Sequence, residues 1–515
     1  AGVAVTTGTK NTFIGGLAGD ANTTGSDHVA IGYQALSANT TANINTAVGY
    51  QALLVNTTGW GNLALGPNTL DANTTGLKNI SVGGFSLTAN TTGGSNVAVG
   101  YNALLANTTA SYNIAVGANA LDANTTGEYN VALGTSSLTT ATTADHNTAV
   151  GADALGSNTT GTSNVGIGSG ALVFTTTGGS NVAVGRNALR ANTTASNNTA
   201  VGNSALLANT TGGSNTAVGN VALDANTTGS MNTAVGEGAL TQMTTGNRNT
   251  GIGLNAGQAV TTAAFNTFVG SAAAGGSTAI TGNDNVAVGS WHDGVIEGPL
   301  AALSSGNSNI AMGNGALRAL TTGIQNVAVG HGCNNNNISG DTNTFIGHNV
   351  VIGDTATDAT IAIGSNFTSA ASNNVRIGTA AGTATLTLDG SDTSWAAASD
   401  ERLKKDIVNS TVGLSFINDL RPVTFKWNAK NAVANTLPQY DADSSDPVYG
   451  EGKAHHGFIA QEVKAVIDAH SDVVNGHNLW TQDEDGTQQL AQGALVPMLV
   501  KAIQELTARL ETLEG

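Results

Sequence analysis

Apolar positions in this chain recur on a fixed beat. From Gly15 to Gly270 a glycine stands at every seventeenth residue, and the residues before it alternate in type. Asn147-Thr148-Ala149-Val150-Gly151 and Asn181-Val182-Ala183-Val184-Gly185 place β-branched residues three and one positions before the glycine, with Ala between them. Alternation at period two predicts a short strand. The position before the glycine is aliphatic in the regular units (Val48, Leu65, Val116, Ile167, Val201, Val235). Four residues after the glycine runs a second ladder: Leu36, Leu53, Leu70, Leu104, Leu121, Leu155, Leu189 and Leu223. The remainder reads Asn-Thr-Thr-Gly, as at Asn73 to Gly76, and both Asn and Gly tolerate the positive φ of turns. Each unit therefore reads as a strand, a corner and a return, stacked so that Val lies on Val and Leu on Leu.

One unit cannot fold alone. It offers two or three aliphatic side chains, roughly 1.5–3 kcal/mol each when buried, against about 1–2 kcal/mol of backbone entropy for every residue. The residue two before the glycine is small in nearly every unit (Ala47, Ala98, Ala115, Ala183, Ala217), with Phe13 and Phe268 as exceptions. Alternation sets it on the face opposite the aliphatics, where a second copy of the chain is expected to approach closely, most simply around a three-fold axis. At about 4.8 Å per layer, about 22 units would build a rod of roughly 100 Å. The expected fold is mainly β: a trimeric β-helix or β-roll solenoid of 17-residue repeats over residues 1–382, regular over 11–270 and irregular over 271–382. The irregular part opens where the glycine spacing grows to Gly289 and Gly313, and the added residues include Trp291, His292, Asp293 and Glu297. The bland reading is a surface loop. The sharper one makes Trp291, His292 and Asp293 receptor contacts, since exposed Trp concentrates binding energy.

Composition narrows the function classes. With 68 Gly in 515 residues, aromatics at 4% and charged residues at 10%, the chain lacks the material for large enzyme cores, while a hydrophobic fraction of 40% is too high for disorder. Cys333 is the single cysteine, so no disulfide framework can form within the chain. No His/Cys ligand spacing points to zinc, and no metal or other cofactor is expected. The net charge of −17 lacks any basic stripe, which argues against a nucleic-acid partner. No run of about 18 apolar residues or basic-then-apolar opening suggests membrane insertion or a signal segment. Asp71, Asp122 and Asp224 are isolated, unlike a calcium-roll pattern. The Asn-Thr-Thr triplets (Asn39, Asn56, Asn73, Asn90, Asn107, Asn124) are formal glycosylation acceptors, but their constant phase is explained by the corner. An ice-binding Thr face is disfavoured because adjacent Thr side chains point to opposite sides.

Charge also divides the chain. Residues 1–399 hold 7 Lys/Arg and 17 Asp/Glu, whereas the much shorter 400–515 holds 10 and 17. Between them, residues 383–399 read as a distal tip or linker: a strand-like Thr383 to Leu388, then Asp389-Gly390, then Trp395 and a small-residue run to Ser399, with Trp395 a second candidate receptor contact. Beyond lies a helical pattern at Val412 to Leu420, a strand pattern from Pro422 to Trp427, the segment His455 to Val463 and a helix toward His470. Leu499, Ile503, Leu506, Leu510 and Leu513, spaced 4, 3, 4 and 3, form a brief heptad seam within residues 495–514. Two heptads need tertiary help to be stable. A small α+β domain over 400–515, ending in a short trimeric coiled coil, is expected.

The repeat units over roughly residues 11–380 resemble the heads of YadA-type trimeric adhesins and the β-helical shafts of phage tail fibres, although a period of 17 departs from that of adhesin heads. The series Ser399-Asp400, Arg402-Leu403-Lys404, Arg421-Pro422-Val423, Phe425, Trp427, His455 to Val463 and the closing Leu-rich seam resembles the C-terminal intramolecular chaperone, a self-cleaving peptidase family, of phage endosialidases, tail fibres and neck appendages. That resemblance implies cleavage between Ser399 and Asp400, with Ser399 as nucleophile and Lys404 as base. His455, Gly457 and Gln461 match the family's H-x-G-F-I-A-Q-E motif, and His455 joins the catalytic candidates. The chemistry is sound: a Ser hydroxyl needs a base, and Lys serves once burial leaves it neutral. It would be a single turnover per chain with no external substrate. Chains slipped by 17 residues still match nearly every contact, so a non-repetitive end must set register. The resemblance implies a virion tail fibre or tailspike, made in the host cytoplasm, with a homotrimeric state, a polysaccharide or protein receptor on a bacterial surface, and other virion tail proteins as partners. The rivals are a bacterial trimeric adhesin, whose outer-membrane barrel residues 400–515 do not resemble, and a glycan-degrading tailspike, for which no paired-carboxylate constellation is visible.

Overall fold

One repeat unit makes one coil, and about 21 coils stack into a parallel β-solenoid. The computed structural model describes residues 1–276, 278–290, 298–369, 372–387, 396–397, 405–435, 440–449, 452–473, 479–482 and 487–514. They fall into two compact units, Ala1–Ala398 and Ser399–Gly515. In the first, three-residue strands run from β1 (Thr12–Ile14) to β19 (Val327–Val329). Each pairs in parallel with the next, as Thr199, Ala200 and Val201 do with Thr216, Ala217 and Val218. The longer spacings leave the ladder intact, because Val269 still pairs with Val288 and Val288 with Met312. The strands lengthen at β20 (Thr344–Ile352) and β21 (Ile361–Ser369), β22 (Asn374–Thr379) is the last to pair in parallel, β23 (Gly382–Thr387) turns back antiparallel along it, and the short β24 (Ala396–Ala397) pairs antiparallel with β23.

The faces of the strands are the reverse of the expectation. Ala47, Ala98, Ala115, Ala183 and Ala217, expected to meet another chain, are fully buried within their own coil. The β-branched neighbours point outward instead, with Val116, Val201 and Val235 each more than a third exposed. The reason is the narrowness of a 17-residue coil, whose interior is filled almost to the strand by the Leu ladder. Where Gly replaces Ala, a Cβ would lie 3.3 Å from Leu155 Cγ at Gly166 and 2.8 Å from Leu240 Cγ at Gly251, so only a small group fits. Phe268 is accommodated because Gly257 stands in the Leu ladder; a Cβ there would be 2.6 Å from the Phe268 ring.

The return is a run of turns, not a strand. Leu36, Leu104 and Leu121 are buried at φ of 53, 54 and 52°. The left-handed region costs a branched residue roughly 1–2 kcal/mol, which burying a Leu side chain, worth roughly 1.5–3 kcal/mol, offsets. The repeating glycine is required by a harsher geometry: Gly117 has φ +139°, and a Cβ would stand 2.5 Å from the Gly134 carbonyl oxygen.

Two buried Asn columns complete the interior. In the Asn-Thr-Thr-Gly corner, Asn90 Nδ2 donates to Asn73 Oδ1 at 2.8 Å and Asn73 Nδ2 to the Gly76 carbonyl at 3.0 Å. The second column lies four residues before each repeating glycine: Asn113 Nδ2 donates to Gly127 O at 2.8 Å, while its Oδ1 accepts from Asn130 N at 2.9 Å. Asn39, Asn56 and Asn73 are fully buried, so in the folded coil no glycan can be carried at those triplets. The first Thr of each corner bonds the next coil, as Thr74 Oγ1 does to Thr91 O at 3.1 Å, and the second Thr is exposed.

Replacing Asn113 by Ala leaves a buried carbonyl and a buried N–H unpaired, about 1–3 kcal/mol each. Asn113→Ala should lower local stability by roughly 2–5 kcal/mol, read as faster amide exchange at Asn130, whereas Thr126→Ala at an exposed corner should change it by less than about 0.5 kcal/mol.

His28 occupies the second column and imitates its asparagines. Nδ1 accepts from Asn45 N at 3.1 Å and Nε2–H donates to Ala42 O at 2.7 Å, which fixes the neutral ring. Burial, the largest influence, holds its pKa below the ordinary 6.5, against the opposing pull of the Ala42 and Asn45 backbone and of Asp27. The unfolded chain then binds the proton more tightly, so stability falls as pH drops below about 6.5 and levels off beneath the folded-state value. Amide protection at Asn45 should decline between pH 7 and 5, and His28→Asn should flatten that decline.

Candidate functional site in the C-terminal unit

In the second unit a small core of Val412, Phe416, Leu420, Val463, Ile467, Leu495 and Met498 joins three helices, α1 (Leu414–Asp419), α2 (Ala460–Ala469) and α3 (Leu495–Glu514). Polar contacts fix α1 from both ends. Its first N–H, at Leu414, donates to Glu505 Oε2 of α3 at 2.9 Å, and Asp419 Oδ2 meets His470 Nε2 at 2.8 Å beyond the end of α2. Just after α1, Arg421 grips Glu462 with two guanidinium nitrogens, one contact measuring 2.9 Å. The Arg421 bond holds the Glu462 pKa below its ordinary value, and the Leu414 N–H does the same for Glu505.

Arg421 leads into β25 (Val423–Phe425), which pairs antiparallel with β26 (His455–Gly457) so that Phe425 lies opposite His455. The His455 ring sits 5.8 Å from Phe425 and 6.5 Å from Trp427, whose own ring is 4.9 Å from Tyr449. Its Nε2 is buried and has no hydrogen-bond partner among the described residues. His456 points the other way, with Nδ1 3.3 Å from Thr424 Oγ1, toward a cleft of about 300 Å3 lined by Pro422 to Thr424, His456, Gly457, Phe458 and Gln492. Gly457 is where β26 passes the Phe425 ring: a Cβ would lie 3.2 Å from its edge. Gln461 is exposed on the first turn of α2.

Residues 399–472 match the family model of the chaperone of endosialidase, Peptidase_S74. That segment is similar to the endosialidase chaperone, and the chain thus couples it to a β-solenoid. No curated protein matches the chain in sequence. The match takes in α1, α2, β25 and β26 and ends before α3.

The structure places His455 and Gly457 together in β26. The other members of the expected site, Ser399, Asp400 and Lys404, lie outside the described residues, as do the expected receptor contacts Trp291, His292, Asp293 and Trp395. Among the described residues no group of three His, Cys, Asp or Glu could hold a metal, and no helix is long and apolar enough to cross a membrane. The Arg421–Glu462, Asp419–His470 and Leu414–Glu505 contacts escaped sequence reasoning. Both members of the first stand inside recognisable motifs, but 41 residues of separation hide the pairing.

The depressed Glu462 carboxyl contributes stability that is present above its ordinary 4.5 and is lost as pH falls through the lower folded-state value. Protection factors of α2 amides in the full chain should fall in that range, and Glu462→Gln should lower them at pH 7 while flattening the acid decline.

Proposed function

We propose that this chain is a tail-fibre or tailspike-like structural protein of a bacteriophage, whose solenoid reaches a bacterial surface and whose C-terminal segment acts as an intramolecular chaperone for three copies. The observation that carries the reading is the joining of a coil stack with nearly identical units to a segment matching the endosialidase chaperone. Identical coils cannot choose between registers one unit apart, and a non-repetitive end can.

Two exposed apolar features support assembly with further copies. Outward aliphatics such as Leu65, Val116, Ile167, Val201, Val218 and Ile252 run along the strand face, each 36–44% exposed. At about 4.8 Å per coil the row extends roughly 100 Å along the stack, and contiguous exposed apolar surface of this kind marks an interaction site. The strand face that meets a second copy is therefore the aliphatic one, not the Ala one. On α3, Leu495, Met498 and Ala502 are buried in their own unit, while Leu499, Ile503, Leu506, Leu510 and Leu513 remain 43–83% exposed, a seam awaiting equivalent helices.

The reading includes self-cleavage of the Ser399–Asp400 peptide bond, with the Ser399 hydroxyl and the Lys404 amine as the reacting pair: the bond from the Ser399 carbonyl carbon to the Asp400 nitrogen breaks, Asp400 leaves as a free amine carrying the proton that Lys404 took up, and one water completes the Ser399 carboxylate. Light scattering and electrophoresis of the full chain test it. Wild type should form trimers and yield fragments 1–399 and 400–515. Ser399→Ala and Lys404→Ala should stay full length yet trimeric, and Leu506→Lys with Leu510→Lys should prevent both assembly and cleavage. A stable wild-type monomer overturns the assembly, and a Ser399→Ala chain still cut at residue 399 overturns the chemistry. Attachment of labelled trimer to bacterial cells tests the surface reading separately.

A further inference from the structure

Six residues before the repeating glycine, the corner residue of one coil commonly caps the backbone N–H of its equivalent in the coil before. Asn43 Oδ1 accepts from Ser26 N at 2.8 Å, Asp145 Oδ1 from Glu128 N at 2.7 Å, and Ser196 Oγ from Gly179 N at 3.1 Å. Trp60 breaks this column. An indole has no acceptor, so Trp60 cannot cap the Asn43 N–H as its equivalents do. No other residue in the described part of the column is aromatic, and nothing in coil closure calls for one.

Trp60 is 43% exposed, and its two sides differ. Lys78, from the following coil, holds its ammonium 4.8 Å from the ring centroid. Toward the preceding coil opens a cleft of about 360 Å3 lined by Thr41, Ala42, Asn43, Ile44, Thr58 and Trp60. With Oδ1 engaged by Ser26, Asn43 leaves its Nδ2 hydrogens for a ligand, beside the exposed Thr41 and Thr58. The cleft thus combines a flat aromatic wall, the aliphatic Ala42 and Ile44 and a short row of amide and hydroxyl groups, with no titratable side chain in its lining.

That chemistry fits a neutral sugar ring. An anion would need a cation within the cleft, and a cation a carboxylate. A wholly apolar ligand would strand the Asn43 N–H and amide without partners. A pyranose presents an axial C–H face that lies on an indole and equatorial hydroxyls that reach amides and hydroxyls. We propose that Trp60, Asn43 and the flanking Thr41 and Thr58 form a pyranose-binding subsite on the side of the solenoid. Its use in attachment rests on the surface-binding reading above, and repetition over several copies would raise a weak affinity by avidity.

Saturation-transfer NMR on the assembled full chain tests this with the methyl α- and β-pyranosides of glucose, galactose, mannose and N-acetylglucosamine. At least one should receive saturation, strongest at the protons of one ring face, with a Kd near the millimolar range. Trp60→Ala should weaken it at least tenfold, Asn43→Ala severalfold, and Trp60→Phe less than Trp60→Ala, with the circular dichroism and assembled mass of each variant unchanged. No saturation of any of the eight glycosides, including through burial of the cleft by a neighbouring copy, overturns the proposal, as does equal saturation with Trp60→Ala. Cell attachment measured in parallel separates the two readings: attachment without glycoside binding removes this subsite alone, and glycoside binding without attachment removes the surface reading alone.

Discussion

The solenoid depends on amides that have nowhere to go except the neighbouring coil. A typical coil buries little more than two Ala and a Leu at full depth, so apolar area alone cannot hold the stack, and the Asn columns supply the rest. A buried Asn must satisfy both ends of its amide. Here one end closes its own corner or the next, and the other reaches along the stack. The arrangement is intolerant of interruption. Where the next column member is Ala141, Thr175 or Met243, the acceptors Asn124 Oδ1, Asn158 Oδ1 and Asn226 Oδ1 are left buried without a partner among the described residues, at about 1–3 kcal/mol each. His28 shows the opposite case, in which a different side chain reproduces both ends of the amide and adds a proton-dependent weakness.

The same regularity that lets each coil accept its neighbour makes the coils interchangeable. Nearly every coil offers Ala to the strand side and Leu to the return side, and a shift by one unit preserves both. Size exchanges mark a few places: Phe268 with Gly257, and Phe13 with Gly19, where a Cβ would lie 2.5 Å from the ring. These exchanges are made within one chain and leave the outward aliphatic row unmarked. Alignment of the proposed three-chain assembly therefore falls to residues beyond the repeats, which is a physical reason for a chaperone segment to follow a repetitive shaft.

The period of 17, the short strands and the helix carrying the heptad seam were legible because each rests on local periodicity. The faces of the strand were not. Alternation separates Ala from Val but does not say which side is inside, and hydrophobicity alone favours Val. The deciding fact is coil width, set by residues such as Leu36 and Leu104 in left-handed backbone, a conformation that a Leu in sequence does not advertise. The turn character of the return was hidden for the same reason. In the C-terminal unit, local patterns foretold α1, β25 and α2, and the motif marked the segment that holds β26, whereas the clasps between them join charges far apart in sequence that no periodicity connects.

Those clasps give the C-terminal unit a continuous mechanical path. The buried side of α3 holds α1 through the core, and Glu505 holds its first N–H. The far end of α1 is tied to α2 through Asp419 and His470, and the next residues tie Arg421 to Glu462 before entering β25, which carries β26 and His455 alongside it. The exposed seam of α3 lies on the same helix as the first of these contacts. Fixing that helix among equivalent helices would remove freedom from α1 and, through it, from the strand pair beside the matched motif. A side chain such as the half-buried His455 imidazole, set beside Phe425 and Trp427 with its buried Nε2 unpartnered among the described residues, gains a defined direction only when its strand is held. On the proposed assembly, association at one end of the unit and order at the other would in this way be one event rather than two.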